Sequence, residues 1–211
     1  MSTLSPEKRA LLALRLRQRG GQFNTFPLSF AQERLWVIDR LGPGNSAYNI
    51  PIAMRMTGRL DVRALEGALT EVARRHEVLR TTYRTVDGEP MQAISPAAPV
   101  AVPVTDLCGL PGEEREARVM LLAEEEARMP FDLSAGPMFR AGLLRLGECD
   151  HVLLFTMHHI VSDMWSTNVL VREVAALYAA FVKGEPSPLP PLPIQYAEFA
   201  VWPGRRLKGE G

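Results

Sequence analysis

His151-Val152-Leu153-Leu154-Phe155-Thr156-Met157-His158-His159-Ile160-Val161-Ser162-Asp163-Met164-Trp165 carries the densest structural and chemical information in the chain. Val152 to Phe155 is an unbroken apolar run, as expected of a strand buried in a sheet. It delivers two histidines to its carboxy end, and a loop follows before the next helix. Such strand-to-helix junctions are where layered α/β folds place reactive groups. Side chains alternate along a strand, so one of His158 and His159 faces a cleft while the other packs inward. Asp163, four residues past His159, is within reach to brace the loop through a salt bridge or hydrogen bond.

An imidazole titrates at about 6.5 and accepts a proton at neutral pH, which suits a general base acting on an amine or alcohol. Two adjacent histidines on a strand chelate one ion poorly, and no third ligand cluster lies nearby in sequence. From spacing alone, a catalytic histidine, a structural histidine pair and a metal site all stay open.

Outward from this stretch, strands and helices interleave without a strict βαβ rhythm, which predicts an α+β fold of mixed α/β layers. Pro6 to Arg19 reads as a basic amphipathic helix opened by Ser5-Pro6-Glu7. Ser29-Phe30-Ala31-Gln32 fits a capping box for a helix reaching Leu41. A strand is expected over Asn49 to Thr57, and an Asp61-capped helix carries Val62, Leu65, Leu69 and Val72 on one face. Asp87-Gly88 signals a hairpin between strands near Arg80 to Val86 and Met91 to Ile94. Val100 to Thr105 reads as a short strand, Glu113 to Met129 as a charged helix, and Met138 to Leu146 as a strand beside His151 to His158. A helix follows over Ser166 to Val182, then a Pro-rich extended connector and a short helix from Ile194 to Val201. The expected organisation is a linker or docking helix at 1–22, a lobe at 23–183, and a connector leading to an inter-lobe region at 184–211.

The bulk composition is that of a globular chain. The 211 residues are 46% hydrophobic and 23% charged, with 24 basic against 24 acidic residues. Zero formal charge argues against a general nucleic-acid or anionic-membrane surface. Cys108 and Cys149 are far apart and lack metal-ligand spacing, and the start has no hydrophobic secretion block, so a reduced, cytoplasmic setting is expected.

Four strings extend the reading. Pro27 to Trp36 followed by Tyr48-Asn49-Ile50-Pro51, then Arg75-His76-Glu77-Val78-Leu79-Arg80-Thr81-Thr82-Tyr83, then Met157 to Ser166, then Tyr196 to Trp202, resemble the first four core motifs of nonribosomal peptide synthetase condensation domains, in that order. Phe131 to Pro137 also resembles the family's segment before the active-site strand. The resemblance implies a chloramphenicol-acetyltransferase-like fold of two lobes around a tunnel, of which this chain is the amino-terminal lobe. It implies peptide-bond formation: a carrier-bound aminoacyl amine attacks an upstream carrier-bound thioester, both on phosphopantetheine arms, with no other cofactor and no metal.

On that pattern His159 is catalytic, and His158, Asp163, Met164 and Trp165 shape the motif around it. Arg34, Arg75 and Arg80, with Glu77, are expected to hold the fold through ion pairs, and His76 is read as structural. Trp165 and Trp202 are expected as packing anchors. Met164 departs from the family's glycine and is expected to narrow the tunnel or require a different backbone angle. The expected partners are donor and acceptor peptidyl carrier proteins, the second lobe, whose arginine usually pairs with the Asp163 position, and an upstream synthetase met through residues 6–19. The first motif looks most like domains joining an L-donor to an L-acceptor. Alternatives are a non-catalytic module recruiting carriers or tailoring enzymes, and a stand-alone HxxxD acyltransferase. The lobe by itself is expected to be inactive.

Overall fold

A computed structural model describes residues 24–200. The helix expected over Pro6 to Arg19, and Trp202, lie outside the described residues. The order of elements is β1 (Asn24–Pro27), α1 (Phe30–Leu41), β2 (Asn49–Thr57), α2 (Val62–Arg75), a 3-10 turn (Glu77–Arg80), β3 (Thr81–Val86), β4 (Glu89–Ile94), β5 (Val104–Asp106), α3 (Gly112–Arg128), β6 (Phe139–Gly147), β7 (Asp150–His158) and α4 (Met164–Phe181). Residues 196–200 form a further helical turn.

Two sheets result. The larger has the order β2-β7-β6-β5, antiparallel except for the parallel β5–β6 pair. The smaller has the order β1-β4-β3. Strand β7 lies inside the larger sheet and is covered on both faces, which is why its apolar run does not alternate. Leu153, Phe155 and Met157 point into the core shared with α2 and α4. Val152 and Leu154 point into a smaller core shared with Val119 of α3. Strand β2, at the edge, alternates between half-buried and exposed residues, and Pro51 is tolerated there.

The helix starts follow the capping chemistry of the sequence. Ser29 and Gln32 form a reciprocal capping box at α1. The Asp61 carboxylate accepts the Ala64 N–H at 3.0 Å and opens α2. Asp87 and Gly88, with φ of 52° and 86°, make the two-residue turn between β3 and β4.

Several boundaries differ from the sequence reading, and β1 was not expected from it. The strand expected over Val100 to Thr105 is confined to Val104–Asp106. The Val100 and Val102 N–H groups are instead taken by Thr70 Oγ1 at 2.9 Å and Glu66 Oε1 at 3.1 Å on α2. Helix α4 starts at Met164, two residues earlier than expected, because Asp163 is its cap.

Arg75 is buried at the end of α2 and joins three parts of the chain. Its Nε and Nη2 donate to the Glu173 carboxylate of α4 at 3.2 and 3.3 Å, and Nη1 donates to the Pro190 carbonyl at 2.8 Å. His76 Nε2 meets the same carboxylate at 2.7 Å. Burial pushes Glu173 up, but the hydrogen bonds from Arg75 and His76 outweigh it and leave the group below the usual carboxylate range. Gln195 ties the connector down by donating to the Arg75 carbonyl at 2.8 Å and accepting the Glu77 N–H at 3.1 Å. Replacing Glu173 with alanine strands a buried guanidinium, with an expected loss of about 3 kcal/mol in urea unfolding, and Glu173→Gln recovers part of it.

Candidate active site

The carboxy end of β7 builds the site. The His158 N–H donates to the Met138 carbonyl at 3.0 Å, and the His159 N–H donates to the Tyr48 carbonyl at 2.8 Å. The strand pairing therefore carries one residue past its formal end. The Val161 N–H then closes back on the His158 carbonyl at 3.1 Å and turns the chain towards α4.

The turn sends the two histidines to opposite sides. His158 is 3% exposed. It sits beside Tyr48 and against the edge of Phe131, whose own face is covered by the Arg140 guanidinium at 3.8 Å. His159 is exposed and lines a cleft of about 420 Å³ between α1, the 3-10 turn and α4.

Their hydrogen bonds fix opposite tautomers. His159 Nδ1 lies 2.7 Å from the Ser162 carbonyl oxygen. A carbonyl only accepts, so Nδ1 carries the proton and the neutral ring keeps its lone pair on Nε2. At His158 the Ile160 N–H donates to Nδ1 at 3.1 Å, so that nitrogen is the acceptor. Burial, reinforced by the neighbouring His159, pulls the His158 imidazole down from 6.5 to about 4. His158 is thus a neutral post at neutral pH, and His159 offers a basic nitrogen.

Asp163 braces the loop, as the sequence suggests, by a hydrogen-bonded cap on α4, while His159 is held by the Ser162 carbonyl. The Asp163 carboxylate accepts the Ser166 N–H at 2.8 Å and also the Ser166 hydroxyl. These bonds hold it below the usual carboxylate range, with a smaller contribution from His159. The loop is secured further by Thr167, whose hydroxyl donates to the Asp163 carbonyl at 2.8 Å and lies 3.3 Å from Ser162 Oγ.

Met164, at the position where the resemblance implies glycine, is the first helical residue of α4 and 82% exposed. Among the described residues only Asp87 of the non-glycine positions has a positive φ, so Met164 needs no glycine-like backbone. Trp165, expected as a packing anchor, is 76% exposed and lines the cleft. Arg34 is exposed, with no ion pair among the described residues. Arg80 donates to the Ser95 carbonyl and to Glu77 at 3.3 Å. His76 caps the end of α2 and also lines the cleft.

A polar chain behind the loop, buried from Ser29 to Tyr83, was not visible in the sequence. Tyr196 Oη meets Ser29 Oγ at 2.9 Å, and Gln32 Oε1 accepts the Ser29 N–H at 3.0 Å. Gln32 Nε2 donates to Tyr83 Oη at 3.1 Å, and the Tyr83 hydroxyl donates to the Ile160 carbonyl at 3.5 Å, the long limit of a hydrogen bond. The chain runs from the end of the connector to the residue after His159. Gln32 was legible as a capping residue, but its reach to Tyr83 depends on packing between distant elements.

His158 makes stability depend on pH. Its folded-state value lies below the unfolded one, so the unfolded chain binds more protons between pH 6.5 and about 4. Stability from this group is complete above pH 6.5 and is lost as pH falls through that window, by on the order of 1–3 kcal/mol. Urea midpoints measured from pH 7 to pH 4 are expected to show this step, and His158→Asn, which keeps an acceptor for the Ile160 N–H, is expected to flatten it.

Comparison with known proteins agrees with the geometry. The condensation-domain family model matches residues 22–210. A linear gramicidin synthase of Brevibacillus parabrevis is 49% identical over 184 residues, covering 87% of this chain and 4% of that protein. Phosphinothricin tripeptide synthetase PhsC of Streptomyces viridochromogenes is 42% identical, covering 98% of this chain and 20% of its own length. The chain thus spans a small part of these curated relatives. An X-domain from teicoplanin biosynthesis, solved in complex with OxyB, superposes with a TM-score of 0.78 at 37% identity, over 88% of this chain and 39% of that one. The starter condensation domain of rhizomide synthetase has the same fold, with a TM-score of 0.76 at 23% identity over 88% of this chain and 44% of that one. A family match over residues 22–210, with a histidine pair at the end of an inner strand, means that this chain belongs to the condensation-domain family, with its chloramphenicol-acetyltransferase-like fold.

Proposed function

We propose that this chain is the amino-terminal lobe of a condensation domain and forms peptide bonds in nonribosomal peptide biosynthesis. The supporting observation is the tautomer of His159: Nδ1–H donates to the Ser162 carbonyl, leaving the lone pair on Nε2 of a ring that lines the cleft. The α-amine of a carrier-bound aminoacyl group attacks the carbonyl carbon of an upstream carrier-bound thioester. His159 Nε2 accepts a hydrogen bond from that amine and takes its proton as the carbon–nitrogen bond forms. The carbon–sulfur bond then breaks, and the phosphopantetheine thiol leaves with a proton. Both substrates travel on phosphopantetheine arms of carrier proteins, and the chain binds no further cofactor or metal.

In this reading residues 23–183 form the lobe, and 184–211 lead to a second lobe that closes the tunnel and pairs an arginine with Asp163. The donor and acceptor are both L-configured, and residues 6–19 meet an upstream synthetase in the cytoplasm. Among the described residues no helix is long and apolar enough to cross a membrane.

Likeness to an X-domain solved with OxyB favours a second reading, recruitment of a partner enzyme without catalysis. His159→Ala in the synthetase carrying this lobe separates the two. Catalysis predicts a fall in peptide formation of at least about 100-fold with carrier loading intact. Unchanged product formation supports recruitment and ends the catalytic proposal. The purified 211-residue chain is expected to form no amide from aminoacyl and acyl pantetheine thioesters, since one wall of the tunnel belongs to the other lobe.

A further inference from the structure

The cleft beside His159 is lined by more than its polar loop. Leu35 of α1, Val78 of the 3-10 turn, and Val169 and Leu170 of α4 also line it, as does Tyr196. These walls come from separate elements, and polar ties hold several of them in place. Glu173 anchors α4 to Arg75 and His76 at the end of α2, and Tyr196 is bonded to Ser29 at the start of α1. A volume of about 420 Å³ falls within the range of small-molecule sites.

The one imidazole besides His159 in the lining is His76. Its Nε2 donates to the ionised Glu173 carboxylate, leaving Nδ1 as the ring nitrogen without a hydrogen bond among the described residues.

We infer that this recess is a side-chain subsite, taking the apolar or aromatic side chain of an α-aminoacyl thioester whose reacting group lies at His159, and that Val169 sets its size. The inference rests on the peptide-bond-forming reading of the same site. Its physical basis is that the four aliphatic walls offer no hydrogen bond. A leucyl or phenylalanyl group laid against them buries apolar area, whereas a charged or amide side chain finds no partner on these four residues. Discrimination in such a pocket amounts to about 10–200-fold per methylene-sized change. The same chemistry comes with either the donor or the acceptor residue.

Two measurements test it. In the first, aminoacyl-pantetheine thioesters of glycine, leucine and phenylalanine are titrated into the methyl-labelled 211-residue chain. Saturable shifts of the Leu35, Val78, Val169 and Leu170 methyls with leucine and phenylalanine, weakened at least about 10-fold for phenylalanine in Val169→Phe, support the subsite. Equal shifts with glycine, or none at these methyls, overturn it. Val169→Leu serves if the phenylalanine variant does not fold.

In the second, peptide formation by the synthetase is compared for phenylalanyl against glycyl groups, varied first on the acceptor carrier and then on the donor carrier. The arm in which Val169→Phe lowers the phenylalanyl-to-glycyl kcat/KM ratio at least about 10-fold identifies the substrate residue that occupies the recess. A ratio moving less than about twofold on both arms overturns the assignment. If the unaltered synthetase forms no peptide bond at all, the functional reading fails by itself, and the methyl titration alone decides the subsite.

Discussion

Strand β7 has to be buried on both faces, and the rest of the fold is arranged to satisfy that requirement. Its backbone is hydrogen-bonded to β2 on one side and β6 on the other. Its side chains divide between a core under α2 and α4 and another under α3. A strand held this way has little freedom to shift register, since a slip of one residue exchanges the two cores. Polar groups that need solvent or substrate are therefore pushed to its end. His158 is the last residue of the strand, and His159 is the first with a side chain free of both cores.

Backbone chemistry then gives two identical side chains different properties. His158 receives an N–H and is buried between rings, which keeps it neutral. His159 donates its Nδ1–H to a carbonyl three residues on, which leaves Nε2 as the ring's acceptor. The turn that places these backbone groups is itself secured by capping: Asp163 starts α4, and Thr167 reaches back from the first helical turn. A helix cap at the edge of a cleft thereby acts as a positioning device for the histidine beside it. Preorganisation of this kind costs no rearrangement when charge develops in a reaction.

Away from the loop, polar groups that look like isolated structural ties form a continuous frame around the cleft. The Arg75, His76 and Glu173 cluster joins the ends of α2 and α4 and holds the connector through Pro190. The Tyr196, Ser29, Gln32 and Tyr83 chain joins the connector to the back of the loop. Gln32 and Tyr83 are each 1% exposed, so breaking this chain leaves unpaired polar atoms in the interior. The connector is thus part of the frame that bounds the site, although its prolines remove it from both sheets.

The sequence by itself determined the elements whose signals are local. Capping at Ser29 and Asp61, the Asp87-Gly88 turn, the apolar face of α2 and the unbroken run of β7 all depend on residues a few positions apart. The histidine pair at a strand end was legible for the same reason, as was the alternation sending one ring inward. What only the tertiary structure decided are properties set by partners distant in the chain or by backbone atoms. The reduction of β5 to three residues follows from Thr70 and Glu66 capturing the N–H groups of Val100 and Val102. The exposure of Trp165, the tautomer of each histidine, the contact of Gln32 with Tyr83, and the cleft that brings His76 to the same space as His159 are of this second kind. Side-chain periodicity reports which face of an element is buried; it does not report which carbonyl or carboxylate the fold brings to meet it.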